Sequence, residues 1–276
     1  LSGELAQQNA NDSAYKSFKE ARTSYLEYNQ RKADSPWKNE NLRKAVSYAI
    51  NRKSLVNQVL GDGSVVSTGL VPSGMSKNPK TDEDFAKEAG KLAPYDKEKA
   101  KEYWDKAKKE LGIDELSFEL MASDTDSSKK VIEYIQGVLE DTLPGMTVKP
   151  TPVPFSVRLD RSNAGDFDVL LGGWGADYAD PSSFTDLFVT GNSYNRGRWS
   201  NEEYDKLVDA SGNKDASDEE ARWEDLQKAN EIISKESGVA PLYQLSEAHL
   251  VNEKVKGIVH HPAGASWDYK WTYVEE

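Results

Sequence analysis

From Leu116 to Leu171 the spacing of apolar residues switches between two periods four times, and no other stretch limits the fold as much. "LSFELMA" (Leu116 to Ala122) reads as a strand. Between Asp126 and Leu143, the residues Val131, Ile132, Ile135, Val138 and Leu139 fall on one side of a helix. "MTVKPTPV" (Met146 to Val153) is a second strand, Phe155 to Ala164 a short helix, and "FDVLL" a third strand. Strand–helix–strand–helix–strand implies an α/β fold with a mainly parallel sheet, because parallel neighbours need a crossover between them.

The chain has 276 residues, enough for one large domain or two ordinary ones. With 37% hydrophobic and 30% charged residues it suits a well-solvated globular protein. Its apolar runs are a few residues long, against the roughly 20 needed to span a bilayer. The 47 acids against 35 bases, a net charge of −12, oppose a nucleic-acid partner, which would need clustered positive charge. The absence of cysteine removes disulfides, thiol catalysis and thiolate metal sites. The opening residues, Leu1-Ser-Gly-Glu, read as the middle of an element, so the chain is expected to be cut from something longer with any targeting segment removed.

Before the alternation, the first thirty residues are polar and read as helical, closing in the strand-like "SYLEYN" (Ser24 to Asn29). Leu42, Ala45, Val46, Ala49 and Ile50 recur at helical spacing after Pro36, and a second short helix follows Asn51. From Gly61 to Pro94 the chain reads as loop. Asp96 caps a helix carrying Ala100, Tyr103, Trp104, Ala107 and Leu111, which Gly112 stops. Beyond the alternation come two helices, Ser200 to Ala210 with a Ser200/Glu203 capping box, and Ser217 to Lys235. "VAPLYQL", "HLVN" and "YKWTYV" read as strands of a separate sheet.

The chemistry concentrates in "DVLLGGWGADYADPSSF" (Asp168 to Phe184), just past the third strand of the alternation. Ligands of α/β sheets gather beyond the carboxyl ends of the strands. Gly172, Gly173 and Gly175 lack side chains and let another backbone approach, as in strand addition. Trp174 supplies a wall, and Asp177 a carboxylate suited to an amino group. Alternatively the glycines form a tight turn, Trp174 is core and Asp177 a helix cap. Asp180, before Pro181, reads as an ordinary helix start.

Catalytic and metal readings find little support. Two acids three residues apart suit caps better than a glycosidase pair. "SDTDSS" (Ser123 to Ser128) begins like a calcium loop, but Lys129 stands where its glycine belongs, so its acids are expected to cap the next helix. His249, His260 and His261 are too few and poorly spaced for a metal site. No phosphate loop or nucleophile elbow occurs.

Several strings, in this order, resemble the C-terminal half of oligopeptide-binding proteins, the extracellular solute-binding proteins of family 5 that serve peptide ABC importers. They are "YLEYNQRKADSPWKNENLRKAVSYAINRKSLVNQVL", "GLVPSGM", the helix start at Pro94, "FDVLLGGWGADYADPSSF", "WSNEEYDKLV" and "APLYQLSEAHLVNEKVKGI". The resemblance implies a periplasmic-binding-protein-like (type II) fold, whose two lobes close on a peptide about crossing strands. Residues 1–24 would be a remnant of lobe 1 and the hinge approach, 25–240 the ligand-contacting lobe 2, and 241–276 the return crossing and C-terminal strands of lobe 1. Most of lobe 1, with a lipid-bearing cysteine, would lie upstream, anchoring the protein outside the cytoplasmic membrane of a Gram-positive cell or leaving it in a periplasm.

The resemblance further implies a monomer without enzymatic activity or cofactor, whose partners are an oligopeptide, a permease and an ATPase. Gly173 and Gly175 would pair with the peptide backbone, Trp174 and Ala176 belong to the same contact loop, and Asp177 would accept the amino terminus. Members that grip short peptides at both ends carry an arginine where Leu171 stands and a histidine near Ser128, ahead of Lys129-Lys130. Their absence implies tolerance of longer peptides with a loosely held C-terminal end. Relatives that take dipeptides, nickel chelates, haem or sugars, or that act as pheromone receptors, mark the alternatives.

Overall fold

The strands β1 (Tyr15–Tyr28), β2 (Val65–Val66), β3 (Leu116–Ser123), β4 (Met146–Val153), β5 (Val169–Gly175) and β6 (Val239–Leu250) form one sheet in the order β2-β6-β1-β5-β3-β4. This computed structural model describes residues 1–276 apart from Ser2 and Ala93, so the parts of the expected 1–24 strip and 61–94 loop that fall on those two lie outside the described residues. β4, β3 and β5 are parallel neighbours, as the alternation requires, whereas β1 runs antiparallel to both β5 and β6. The helices are α1 (Gly3–Asn9), α2 (Glu40–Ala49), α3 (Arg52–Ser54), α4 (Phe85–Ala89), α5 (Lys97–Leu111), α6 (Asp126–Thr142), α7 (Phe155–Ala164), α8 (Ser182–Thr185), α9 (Glu202–Gly212) and α10 (Glu219–Lys235). α3 runs on as a π-helical stretch, Leu55–Leu60.

Each face of the sheet buries a separate core. On one, Leu26, Tyr28, Phe118, Val169 and Leu171 meet Trp37, Leu42, Val46, Trp104 and Ile135. On the other, Tyr25 joins Phe184, Phe188, Tyr204, Trp223 and Leu226. Each such side chain, fully buried, contributes roughly 1.5–3 kcal/mol. Local signals set the helix ends. Asp96 accepts the Lys99 N–H at 3.0 Å to start α5, and Gly112, with φ +67°, ends it. Two buried arginines stitch helix ends to β6 and its approach. Arg52 donates to the carbonyls of Pro241 (2.6 Å) and Ser47 (3.0 Å), and Arg43 to that of Ser237 (3.0 Å).

Several expectations change. Helix at the N-terminus is confined to Gly3–Asn9, and the polar run from Tyr15 is strand. From Tyr15 to Lys19 that run is laddered to β6 alone, and β5 joins on the other side from Arg22, so pairing with distant strands overrides its low strand propensity. "VAPLYQL" and the start of "HLVN" are not a separate sheet but one strand, β6, beside β1 in the main sheet. Only "YKWTYV" leaves it, pairing Tyr273 and Val274 with Lys256 and Val255. The helix after "SDTDSS" is capped by Thr125, not by an acid, and α9 is capped by Asn201 rather than Ser200. β1 and β6 run through residues 24 and 240, where strands crossing between two lobes are expected. The β1–β6 register shifts twice, between Lys19 and Thr23 and between Ser24 and Tyr25.

Candidate ligand-docking site

The glycine-rich stretch does not turn. β5 continues through Gly175, facing β1 residue by residue: Gly172 with Tyr25, Gly173 with Ser24, Trp174 with Thr23, Gly175 with Arg22. None of Gly172, Gly173 and Gly175 has a positive φ. On its other side β5 pairs with β3 only at Val169 and Leu170, after which β3 follows β4 alone. From Gly172 to Gly175 the side of β5 away from β1 is therefore an open edge among the described residues.

The hydrogen-bonding phase says which groups that edge presents. The Ala176 N–H donates to Ala21 O (2.8 Å) and the Asn29 N–H to Asp168 O (3.0 Å), which fixes the even-numbered residues of β5 as the ones bonded to β1. In an antiparallel ladder the intervening residues turn both N–H and C=O the other way. Gly173 and Gly175 thus aim their backbone groups at the open edge.

The glycines serve different purposes. A Cβ on Gly172 would stand 3.3 Å from the Tyr25 ring, and one on Gly173 3.2 Å from the Thr23 carbonyl. A Cβ on Gly175 would meet nothing nearer than the Arg22 side chain at 3.9 Å, so internal packing does not demand a glycine there.

Trp174 is half-buried, its ring 4.8 Å from that of Tyr194 in an edge-to-face contact. Ala176 is buried, and both its backbone groups are engaged, the N–H by Ala21 and the C=O by the Gly264 N–H (2.9 Å). It offers a ligand no backbone partner and instead ties the strand end to the segment around Pro262, whose carbonyl accepts the Ala21 N–H (2.7 Å). Asp177, one residue on, is exposed; its N–H donates to Ser183 Oγ (3.2 Å), while its carboxylate has no hydrogen bond or ion pair among the described residues.

Asp180 does separate work. It accepts the Ser182 N–H (2.9 Å) and both guanidinium arms of Arg222 (2.9 and 2.8 Å). Burial pushes its carboxyl up, but these bonds outweigh that and hold it below the usual range. Leu171 packs into the helix-covered core, and the Ser128 hydroxyl bonds Thr125 Oγ1 (2.9 Å) at the start of α6.

Sequence reasoning missed Glu27, Tyr25 and Tyr194, which surround the site from other elements. Glu27, opposite Leu170, is buried and accepts the Gly197 N–H at 2.6 Å through Oε1, while Oε2 has no partner. Burial pushes its carboxyl up to about 7, against the pull of the Gly197 bond and of Arg196. The strand-like "SYLEYN" was the one available sequence signal, and it does not tell that Glu27 is buried. Among the described residues no group of three or more His, Cys, Asp or Glu could hold a metal ion, and no helix is long and apolar enough to cross a membrane.

An α/β sheet whose parallel strands end in an open edge has the build of a ligand-binding lobe. Residues 2–196 match the description "Bacterial extracellular solute-binding proteins, family 5 Middle", and the chain belongs to that family. It is 39% identical to the dipeptide-binding protein of Lactococcus lactis subsp. cremoris, over 99% of this chain and 51% of that protein. A solved peptide-binding protein of a peptide ABC transporter shares 58% identity and a TM-score of 0.79, covering 81% of this chain and 98% of its own. The peptide-binding pheromone receptor PrgZ shares 42% identity and a TM-score of 0.90, covering all of this chain and 53% of its own. The chain spans about half the length of the curated relatives it matches.

Proposed function

We propose that this chain is one jaw of the substrate-binding component of a peptide ABC importer. An extended peptide lies along β5, adds itself as the next strand, and bonds Gly173 and Gly175 through its main chain. The carrying observation is the open edge at Gly172–Gly175, with the backbone groups of two glycines turned toward it. Each main-chain bond contributes roughly 0.5–1.5 kcal/mol net, whatever the side chains, so affinity rests largely on the backbone. Trp174 and Tyr194 form a wall beside it, and Asp177 receives the peptide's ammonium group.

The opposite jaw would be the first lobe, joined through the long strands β1 and β6, and closure of both on one ligand would signal permease and ATPase subunits. A lipid anchor upstream, on the outer face of the membrane, and a monomeric state complete the reading.

With the first lobe in place, Asp177→Asn should weaken peptides with a free amino terminus about 10- to 100-fold, the worth of a charge-assisted bond. N-acetylated peptides should lose far less; equal losses would remove the anchoring role. Mass spectrometry of ligands retained on purification should find mixed peptides. A single sugar or metal chelate there would overturn the peptide reading.

A further inference from the structure

The chain carries nine arginines, and they fall into two groups. Arg161 pairs with Glu119 and Asp166, and Arg222 with Asp180, while Arg43 and Arg52 are spent on backbone carbonyls. The other five, Arg22, Arg31, Arg158, Arg196 and Arg198, are without an ion pair among the described residues and are exposed or half-buried. Arg31 donates to the Arg196 and Asn163 carbonyls, Arg198 to the Asn192 carbonyl and Arg196 through Nε to Asn163 Oδ1, which leaves donors over on each. The side chains of Arg22 and Arg158 make no hydrogen bond among the described residues. Arg31, Arg196 and Arg198 line one concavity with Arg158 beside Arg196, and Arg22 stands apart, opposite Gly175.

Arg31, Arg196 and Arg198 line a concavity of about 320 Å³ together with Asn163, Ser193 and Tyr194, a lining without a single carboxylate. Arg158, on α7, has its guanidinium 5.1 Å from the Phe155 ring; its Nε is buried without a partner, and its side chain makes no hydrogen bond among the described residues. Burial, and then the charge of Arg196, pull its pKa down, so the two cations are close enough to repel. The one acid among them, Glu27, is buried beneath and is a poor counter-ion because burial favours its neutral form.

The cluster joins the docking edge at a definite level. Arg196 stands 5.8 Å from the ring of Tyr194, which itself packs on Trp174. Arg158, Arg196 and Arg22 act on the Tyr25 hydroxyl, and Tyr25 lies opposite Gly172. Asp177 sits five residues further along the chain, about 17 Å in extended backbone. The edge thus has a free carboxylate beyond its Gly175 end, where Arg22 also stands, and at the Gly172 level the guanidinium groups of Arg158 and Arg196, which have no acid partner among the described residues.

We propose that Arg158 and Arg196, with Arg198 at the rim, form a carboxylate-binding pocket beside the docking edge, taking either an acidic side chain or the C-terminal carboxylate of the bound peptide. The assignment rests on the peptide reading above. Leu171 does not argue against it: that side chain enters the opposite core, whereas Gly172, facing Tyr25, belongs to the arginine side. The lack of an arginine at position 171 moves the anionic contact across the strand rather than abolishing it. Planar guanidinium groups suit a carboxylate because two parallel N–H donors match its two oxygens.

The test is calorimetric titration of the two-lobed protein with free-amino hexapeptides of alanine, glutamate or glutamine, each with a free or an amidated C-terminus. A carboxylate should improve affinity about tenfold over its neutral isostere. A Glu-over-Gln preference alone identifies the side chain as the source, and a free-over-amidated preference alone identifies the C-terminus. In R158Q/R196Q the ratio of carboxylate-peptide to neutral-isostere affinity, both measured on the same variant, should fall to about one. Should the double variant melt early, R158Q alone, which removes no internal hydrogen bond, should halve the preference or more, and R158K should restore part of it. Peptides that bind with no carboxylate preference, or a preference that survives R158Q/R196Q intact, overturn the pocket alone. Absence of binding by every peptide overturns the peptide reading and the pocket with it.

Discussion

Glu27 is 2% exposed and couples the stability of the fold to pH. Its carboxyl rises from 4.5 to about 7 on folding, so the folded state holds the proton more tightly. The resulting stabilisation is full below pH 4.5, fades as pH rises toward 7, and is gone above it; its size is at most about 3 kcal/mol. Urea unfolding of the native chain and of E27Q between pH 4.5 and 8.5 should give curves that converge at one end and separate at the other. Parallel curves would mean that Glu27 has no raised pKa. The glycines give a second residue-scale contrast. Gly175→Ala should leave stability within about 0.5 kcal/mol, whereas Gly173→Ala, pressed against the Thr23 carbonyl, should cost about 1 kcal/mol. The larger Gly175→Val should reduce peptide affinity without lowering the melting temperature by more than a few degrees.

Among elements, those with strong periodicity were legible from sequence alone. The helix at Phe155–Ala164 and the strand at Met146–Val153 stand where the apolar spacing puts them. β1 was not legible, because Lys16 to Thr23 carries no apolar alternation and its partners lie more than a hundred residues away. β5 was half legible. Val169 to Leu171 read as strand, but the glycines after them have low strand propensity and are held extended by β1. The position of the docking edge was thus readable, and its extended geometry was not. Buried arginines were also opaque, since charge normally signals exposure. Arg52, with its pKa pulled down to about 10 by burial, stays charged at neutral pH while bonding Pro241, Ser47 and Ile50 carbonyls. Arg52→Met should destabilise the chain by roughly 3 kcal/mol, because those carbonyls lose their donor inside the core. Chemical unfolding measures this directly, and a loss under about 1 kcal/mol would show that water replaces the guanidinium.

At the scale of the whole molecule, the C-terminal segment is the least covered part. Tyr269, Trp271, Tyr273 and Val274 are 61%, 67%, 56% and 66% exposed, an apolar strip that a second lobe would be expected to cover. Joining the chain to that lobe should shift Trp271 fluorescence to the blue and protect it from quenching by acrylamide. An unchanged W271F difference spectrum would show that the strip stays in water. Ala21 has a further consequence. It lies in the stretch where β1 slips its register against β6, and its two backbone bonds run to Ala176 and to Pro262. At that irregularity in β1, both the strand end beneath Asp177 and the Pro262 segment are fastened to a single residue. A ligand placed along Gly173 and Gly175, as proposed, would press on backbone one and three residues from Ala176, and so on the main-chain bonds that meet at Ala21.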